Sequence, residues 1–174
     1  IDTGHHASAI MAAEFPDRMG FKGTNALQSM YEQKRFGQKN NKGFYEYELD
    51  KKGKPKKVVT DVAYGLIKPL VKQTVTVTDE DIVMRMMLPM LIESARCLEE
   101  KIVASPVEVD MGLLLGLGFP PIRAGVFKWA DMVGLTKLAE EAKKLQHLGK
   151  LYEFTPTMLE MAKNNQKYHA GGAQ

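Results

Sequence analysis

Histidine and cysteine are the side chains here that could act as bases, nucleophiles or metal ligands near neutral pH. The sequence contains four histidines and one cysteine. His5 and His6 are adjacent, and neighbouring helix positions point about 100° apart, so both rings cannot easily bind one metal ion. We interpret them as a pair at the start of a helix and predict no metal site.

The other three side chains have structural explanations. Cys97 lies in an apolar helical pattern without a histidine nearby, which indicates a small buried hydrophobic residue. His147 falls at a helix end, where its ring can hydrogen-bond free carbonyl groups. His169 falls in a polar tail. We therefore predict no catalytic residue in this chain.

Two basic segments could bind phosphate. Lys39 and Lys42 lie in a glycine-rich stretch, but the spacing and following helix of a phosphate-binding loop are missing. Residues 51–57 include five lysines without interleaved aromatic residues, which indicates a solvated turn. A net charge of +3 permits an anionic ligand without requiring nucleic acid. We predict no nucleic-acid partner; a basic nucleic-acid-binding domain is an alternative that rests on this turn alone.

Four methionines lie close together at positions 84, 86, 87 and 90. Flexible thioether side chains fill irregular space, so the cluster indicates an adaptable core or interface. An acyl-chain groove is the alternative interpretation.

Length and composition limit the architecture. The 174 residues suffice for one or two small domains with a core. No apolar run is long enough for a membrane span and no signal pattern is visible, while a lone cysteine fits a reducing cytoplasm. The beginning at Ile1 reads as the interior of a longer protein.

Residues 1–77 predict helices joined by an extended insertion. Thr3 is expected to cap a first helix, and residues 25–34 show helical spacing for a second. Residues 36–59 become glycine-rich and then alternate, which predicts a small hairpin or extended linker with its turn near Asp50. A short helix should follow from Asp61 to Leu70.

Residues 78–174 predict a more regular helical set. Thr78 should cap a long helix that is kinked at Pro89, and Ser105 should cap the next. Further helices are expected over residues 124–132, 136–147 and 156–164. The fold class is all-α, and similar amphipathic helices after Ile1 and after Gly134 indicate one partial and one fuller repeat.

Three separated segments resemble the C-terminal helical domain of the 3-hydroxyacyl-CoA dehydrogenases, above all in multifunctional members from bacterial fatty-acid oxidation complexes. Residues 1–6 resemble the segment after that domain's "VG" turn, and residues 35–45 resemble its glycine-rich "G-F-Y" close. Residues 84–90, together with 116–134 and the single tryptophan Trp129, resemble a second copy of the domain.

The resemblance implies a parent enzyme that oxidises (3S)-hydroxyacyl-CoA to 3-oxoacyl-CoA with NAD, coupled to enoyl-CoA hydration. NAD and the catalytic histidine–glutamate pair belong to an N-terminal domain of such enzymes, so we expect neither here. Met84 stands where the family has an asparagine, and methionine is a poor hydrogen-bonding partner. The second copy therefore looks degenerate, and we expect this chain alone to be inactive.

The helical domain of such enzymes closes the substrate cleft and forms subunit contacts. By resemblance, Leu115, just before Gly116-Leu117-Gly118-Phe119, is the residue expected to contact the acyl substrate. Homodimer contacts and a thiolase β subunit are the expected partners. A non-catalytic helical module for dimerisation or thiolase docking is the alternative function.

Overall fold

A computed structural model describes residues 1–169 of the protein. It divides into unit 1, Ile1–Thr76, and unit 2, Val77–Gln174. Helices dominate both units and the single sheet has two strands, so the predicted all-α fold with a small hairpin is confirmed. That the units are copies of one repeat stays a prediction.

Unit 1 contains three short helices and the hairpin. Its elements are α1 Asp2–Glu14, α2 Ala26–Glu32, a 3-10 turn Gln38–Asn40, β1 Glu46–Leu49, β2 Pro55–Val58, α3 Asp61–Ile67 and a 3-10 turn Lys68–Leu70. The predicted cap at Thr3 is wrong, because α1 begins at Asp2 and Thr3 lies inside its first turn. The strands pair antiparallel, and Asp50 closes their turn by accepting from the N–H groups of Lys52 and Lys54, each at 2.8 Å.

A buried arginine organises the centre of unit 1. Arg35 follows α2 and is almost inaccessible, next to the fully buried Met30. Its Nε donates to the Gly43 carbonyl at 2.9 Å, and its guanidinium forms an ion pair with Glu46 at 2.8 Å. Since an arginine fork can bind two acceptors at once, Arg35 connects α2, the glycine-rich segment and β1.

Unit 2 is built around one long helix. Its elements are α4 Asp79–Glu99, α5 Pro106–Gly116, a 3-10 turn Pro121–Arg123, α6 Val126–Val133, α7 Leu135–Leu145, 3-10 turns Gln146–Leu148 and Lys150–Tyr152, and α8 Pro156–Lys163. The helix α4 continues from Asp79 to Glu99 with Pro89 inside it. Between Met84 and Ala95 the buried residues of α4 recur at helical spacing, which gives this part of the helix one apolar face.

The core of unit 2 forms where α6 and α7 cover that face and α8 packs on α7. Fully buried side chains include Leu88 and Ile92 of α4, Phe127 of α6, Leu138 of α7 and Met158 of α8. Replacing one such side chain by alanine typically costs about 2–5 kcal/mol. This core therefore supplies the rigid support for the surface segments described below.

The predicted cap at Thr78 is confirmed and forms a complete capping box. The Asp81 N–H donates to the Thr78 Oγ1 at 3.1 Å, and the Thr78 N–H donates to the Asp81 carboxylate at 2.9 Å. The Thr78 backbone N–H, and next its hydroxyl, hold the pKa of Asp81 below the ordinary value of a carboxyl. The charged carboxylate is thus part of the helix start.

The capping box predicts an acid-sensitive contribution from Asp81. Its folded-state pKa is lowered, so its stabilisation is present above the unfolded-state pKa of about 3.9 and is lost as pH falls through the folded-state pKa. We expect Asp81→Asn to lower the free energy of unfolding at neutral pH and to lower it less at about pH 3, where the unfolded-state carboxyl is already largely protonated. Urea unfolding at both pH values measures this, and an equal deficit at both would contradict it.

The Arg35 contacts predict a strong mutational effect. Arg35→Ala leaves the Glu46 carboxylate unpaired, and we expect a loss of about 3 kcal/mol. Arg35→Lys keeps the charge but loses the fork, so its loss should be smaller. Urea unfolding followed by circular dichroism gives the values. Arg123→Ala, which removes an exposed arginine of unit 2, is the control, and equal effects at positions 35 and 123 would refute the assignment.

Candidate functional site

The segment from α5 to α6 carries Leu115, the residue singled out by the sequence. Ser105 begins α5 as predicted, since its Oγ accepts from the Glu108 N–H at 3.3 Å. The Glu108 carboxylate in turn accepts from the Ala104 N–H at 3.0 Å. Local capping therefore sets the start of α5, and the helix runs on to Gly116.

One face of α5 presents apolar side chains to solvent. Val107, Met111 and Leu115 are exposed and follow one another at intervals of four residues, so they lie along one side of the helix. Leu115 is 80% exposed. We call these three residues the α5 stripe. Leu117 and Ile122, which follow the helix, are also exposed, and contiguous exposed apolar surface such as a helix stripe commonly marks a contact site.

The turn after α5 returns the chain to the core. The N–H groups of Leu117 and Phe119 both donate to the Leu113 carbonyl, each at 3.1 Å. Between them Gly118 has φ +66°, a conformation that glycine adopts without a steric penalty. Phe119 is buried against the core of unit 2. The exposed end of the α5 stripe therefore stands next to an anchored residue.

Asp110, on the buried side of α5, caps the start of α6 with its carboxylate. Its carboxylate oxygens accept from the N–H groups of Phe127 at 2.8 Å and Lys128 at 3.0 Å, in the first turn of α6. A carboxylate placed there satisfies unpaired amides and meets the positive end of the helix dipole. Gly125 has φ +112°, and a Cβ at that position would overlap the Asp110 carboxylate. Close approach of α5 to α6 thus requires glycine.

The sequence interpretation did not single out Asp110. The available signal was an acid between Val109 and Met111, beyond the first turn of a helix whose later residues are apolar, because buried acids are rare unless they are hydrogen-bonded. Its partners lie 17 and 18 residues away, so no local cap pattern revealed them.

Assigning His169 to a polar tail was wrong. Its Nε2 lies 2.8 Å from the Asp110 carboxylate, so the ring is half-buried against the start of α6. Asp131 of α6 accepts from the N–H groups of Tyr168 at 2.8 Å and His169 at 2.9 Å. Two carboxylates, one on α5 and one on α6, therefore bind the end of the described chain.

Tyr168 completes this contact through its ring. The ring centroid lies 4.0 Å from that of Phe127, which is fully buried. Burial, followed by the charges of Glu99 and Asp131, raises the pKa of Tyr168 above its ordinary value. Tyr168 is therefore neutral over the physiological range and acts as a packing residue.

The methionine cluster divides between core and surface. Met84 is buried in the core of unit 2, and Met87 and Met90 pack against that core. Met86 is exposed beside Ile82, one turn earlier on α4. Met84 therefore contributes apolar packing here.

The other sequence candidates are dispersed. The His5 ring stacks on Tyr31 with centroids 4.1 Å apart, and the His6 Nε2 lies 3.5 Å from the Tyr31 hydroxyl. His147 Nδ1 lies 2.8 Å from the Lys144 carbonyl, as expected at a helix end.

The side chain of Cys97 is half-buried beside an apolar groove, whereas the sequence predicted that it would be buried. Within residues 1–169 no group of three His, Cys, Asp or Glu side chains could hold a metal ion.

Lys39, in the glycine-rich stretch, is engaged by a carboxylate of α1. Lys39 forms an ion pair with Asp2 at 2.6 Å, and this contact lowers the pKa of Asp2 and raises that of Lys39. No aromatic residue lies among the lysines of residues 51–57 in the sequence, but a ring from outside that segment approaches Lys57. Strand pairing brings Lys57 near Tyr45, with its Nζ 5.4 Å from the ring centroid.

Among the described helices, none has the length and apolar character to cross a membrane.

Comparisons with known proteins place these observations in a family context. The family model described as 3-hydroxyacyl-CoA dehydrogenase, C-terminal domain, matches residues 1–47 and 82–174. The fold is similar to the crystal structure of the dehydrogenase part of multifunctional enzyme 1 from C. elegans, with TM-score 0.60 and 24% identity. That match covers 91% of this chain and 36% of the relative's chain, so this chain spans little more than a third of the relative's length.

The Asp110–Gly125 contact predicts a coupled pair of substitutions. Asp110→Ala removes the cap of α6 and should cost about 2 kcal/mol. Gly125→Ala should cost about 2 kcal/mol or more, through a strained φ and overlap with the carboxylate. In the Asp110→Ala background the overlap disappears, so Gly125→Ala should cost less there. Urea unfolding followed by Trp129 fluorescence measures the cycle, and strictly additive losses would contradict direct contact.

Proposed function

Because the chain belongs to the 3-hydroxyacyl-CoA dehydrogenase C-terminal domain family, we propose that it is the helical part of a multifunctional fatty-acid β-oxidation enzyme. The parent oxidises (3S)-hydroxyacyl-CoA to 3-oxoacyl-CoA with NAD and couples this step to enoyl-CoA hydration. Cytoplasmic location belongs to the same proposal, on the ground of the lone cysteine.

NAD is assigned to another part of the parent enzyme. Dinucleotide sites use a parallel sheet with a glycine-rich turn before a helix. The two strands of residues 1–169, β1 and β2, are antiparallel and joined by a tight turn, so the described elements do not fit NAD. No step of hydride transfer is therefore assigned to a residue of this chain.

The role proposed for this chain is cleft closure and subunit contact. The exposed α5 stripe is the observation that carries it, because an apolar row on a rigid helix gains free energy when covered. Asp110 and Phe119 support the stripe from the buried side of the segment. Leu115, at its end, is the residue we assign to acyl-chain contact.

A second candidate function uses the same surface. A homodimer partner or a thiolase β subunit could cover the α5 stripe, which would make the chain a non-catalytic assembly module. Exposed apolar rows suit protein partners as well as acyl chains. The two functions differ in whether a change in the stripe alters substrate affinity or assembly.

The proposal predicts that the 174-residue chain alone is inactive. With neither the NAD site nor the catalytic pair assigned to it, we expect no oxidation of NADH with acetoacetyl-CoA. Absorbance at the NADH band measures the turnover. Turnover by the purified chain that disappears on unfolding would contradict the proposal.

Placing a charge in the α5 stripe by mutation distinguishes acyl-chain contact from assembly. Leu115→Asp in the parent enzyme should raise KM for acyl-CoA about tenfold with little change in kcat, since an apolar contact is lost. Ile102→Asp, at an exposed apolar residue before α5, is the matched control. A lower assembly mass by light scattering with unchanged KM would favour the docking role. No difference between the two variants would refute both.

A further inference from the structure

Unit 1 contains a cavity in which half of the lining side chains are aromatic. Its volume is about 420 Å³, within the range of roughly 300–1,000 Å³ typical of small-molecule sites. We call it the aromatic pocket, and its lining residues are Phe44, Tyr45, Val59, Ala63, Tyr64 and Ile67. It lies between the start of the hairpin and α3. Most of its lining falls in residues 48–81, which the family model does not match.

The rings of this pocket have faces open to solvent. Tyr64 is 63% exposed and Tyr45 is 41% exposed, while Ala63 behind them is buried. The small buried Ala63 and the two exposed rings of Tyr45 and Tyr64 leave space in the pocket for a flat molecule. Aromatic rings arranged in this way suit a ligand that is itself aromatic, because stacked rings remove apolar faces from water.

The hairpin register places a lysine on the pocket side. Tyr47 pairs with Lys57, and directly opposed residues share one face of a strand pair. Since alternate residues share a face, Tyr45 and Val59 lie on that same side. Lys57 is exposed, with Nζ 5.4 Å from the Tyr45 ring centroid, so its charge stands next to this ring of the pocket.

A second lysine approaches from the other wall. Lys68 follows Tyr64 by four positions, which is one helical turn, and it is exposed. Asp61 lies on the opposite side of Tyr64 along α3, one turn earlier. Lys57 beside Tyr45 and Lys68 one turn from Tyr64 therefore each bring a positive charge close to one of the two tyrosines.

The hairpin carboxylates are already engaged in other contacts. Glu46 pairs with Arg35, and Asp50 accepts from the turn amides. Glu48 pairs with Lys56 in the register, on the face opposite to Lys57. On the hairpin side of the pocket the charge nearest to a ligand is thus that of Lys57, which favours an anion there.

We propose that the aromatic pocket binds a purine nucleoside polyphosphate. The base stacks on Tyr45 and Tyr64, and the phosphates lie at Lys57 and Lys68. Aromatic rings supply stacking and lysines act as point charges for phosphate, so each half of the ligand has its own partner. The proposal rests on unit 1 alone and is independent of the dehydrogenase function.

Isothermal titration of the 174-residue chain with ATP tests this, with EDTA present so that lysines are the cations available. Adenosine and inorganic tripolyphosphate are the two half-ligands, and each should bind at least about tenfold more weakly than ATP. Lys57→Ala should weaken ATP binding about tenfold and leave adenosine binding unchanged. Tyr64→Ala should weaken both, and Tyr64→Phe should retain the affinity for both.

Lys51→Ala is the matched control, because Lys51 is an exposed lysine in the turn beyond the paired strands. It should change ATP affinity less than about twofold, since exposed charges outside a site interact weakly. Equal losses for positions 51 and 57, or tripolyphosphate bound as tightly as ATP, would overturn the proposal in favour of general attraction. An adenine octanucleotide bound at least about tenfold more tightly than ATP, with strong salt dependence, would overturn it in favour of a strand surface.

Discussion

The carboxylate of Asp110 at the start of α6 is the contact on which the candidate surface depends. It joins two successive helices at one point, because it belongs to α5 and accepts hydrogen bonds from α6 amides. Gly125 allows the approach, and His169 meets the carboxylate from the end of the described chain. A buried acid is costly unless its hydrogen bonds are made, so this geometry has few alternatives.

Because α5 is held in place, the Asp110 contact also determines which side chains of α5 are exposed. With its buried side held by Asp110 and its end anchored through Phe119, the helix must turn Leu115 outward. An exposed apolar row then results from internal hydrogen bonding and needs no partner in order to form. This pre-formed surface is what a helical domain would need to close over an acyl chain or to dock onto another subunit.

Local signals allowed much of this fold to be predicted from the sequence. Thr78 and Ser105 cap helices through partners three residues away, and the turn at Asp50 closes within its own hairpin. Asp110 and Arg35 were missed because their partners are distant in the chain and their polar character suggests exposure. His169 was misassigned for the same reason, since its partner lies 59 residues away. Chain-distant hydrogen bonds of buried charges leave almost no periodic pattern.

Native-state hydrogen exchange tests the central claim most directly. In the described part α7 begins without a side-chain cap, so its first-turn amides at Thr136 and Lys137 serve as an internal reference. We expect the Phe127 and Lys128 amides to exchange about 100-fold more slowly than those two, and to lose that protection in Asp110→Ala. Equal exchange of the two pairs in the wild-type chain would contradict the account.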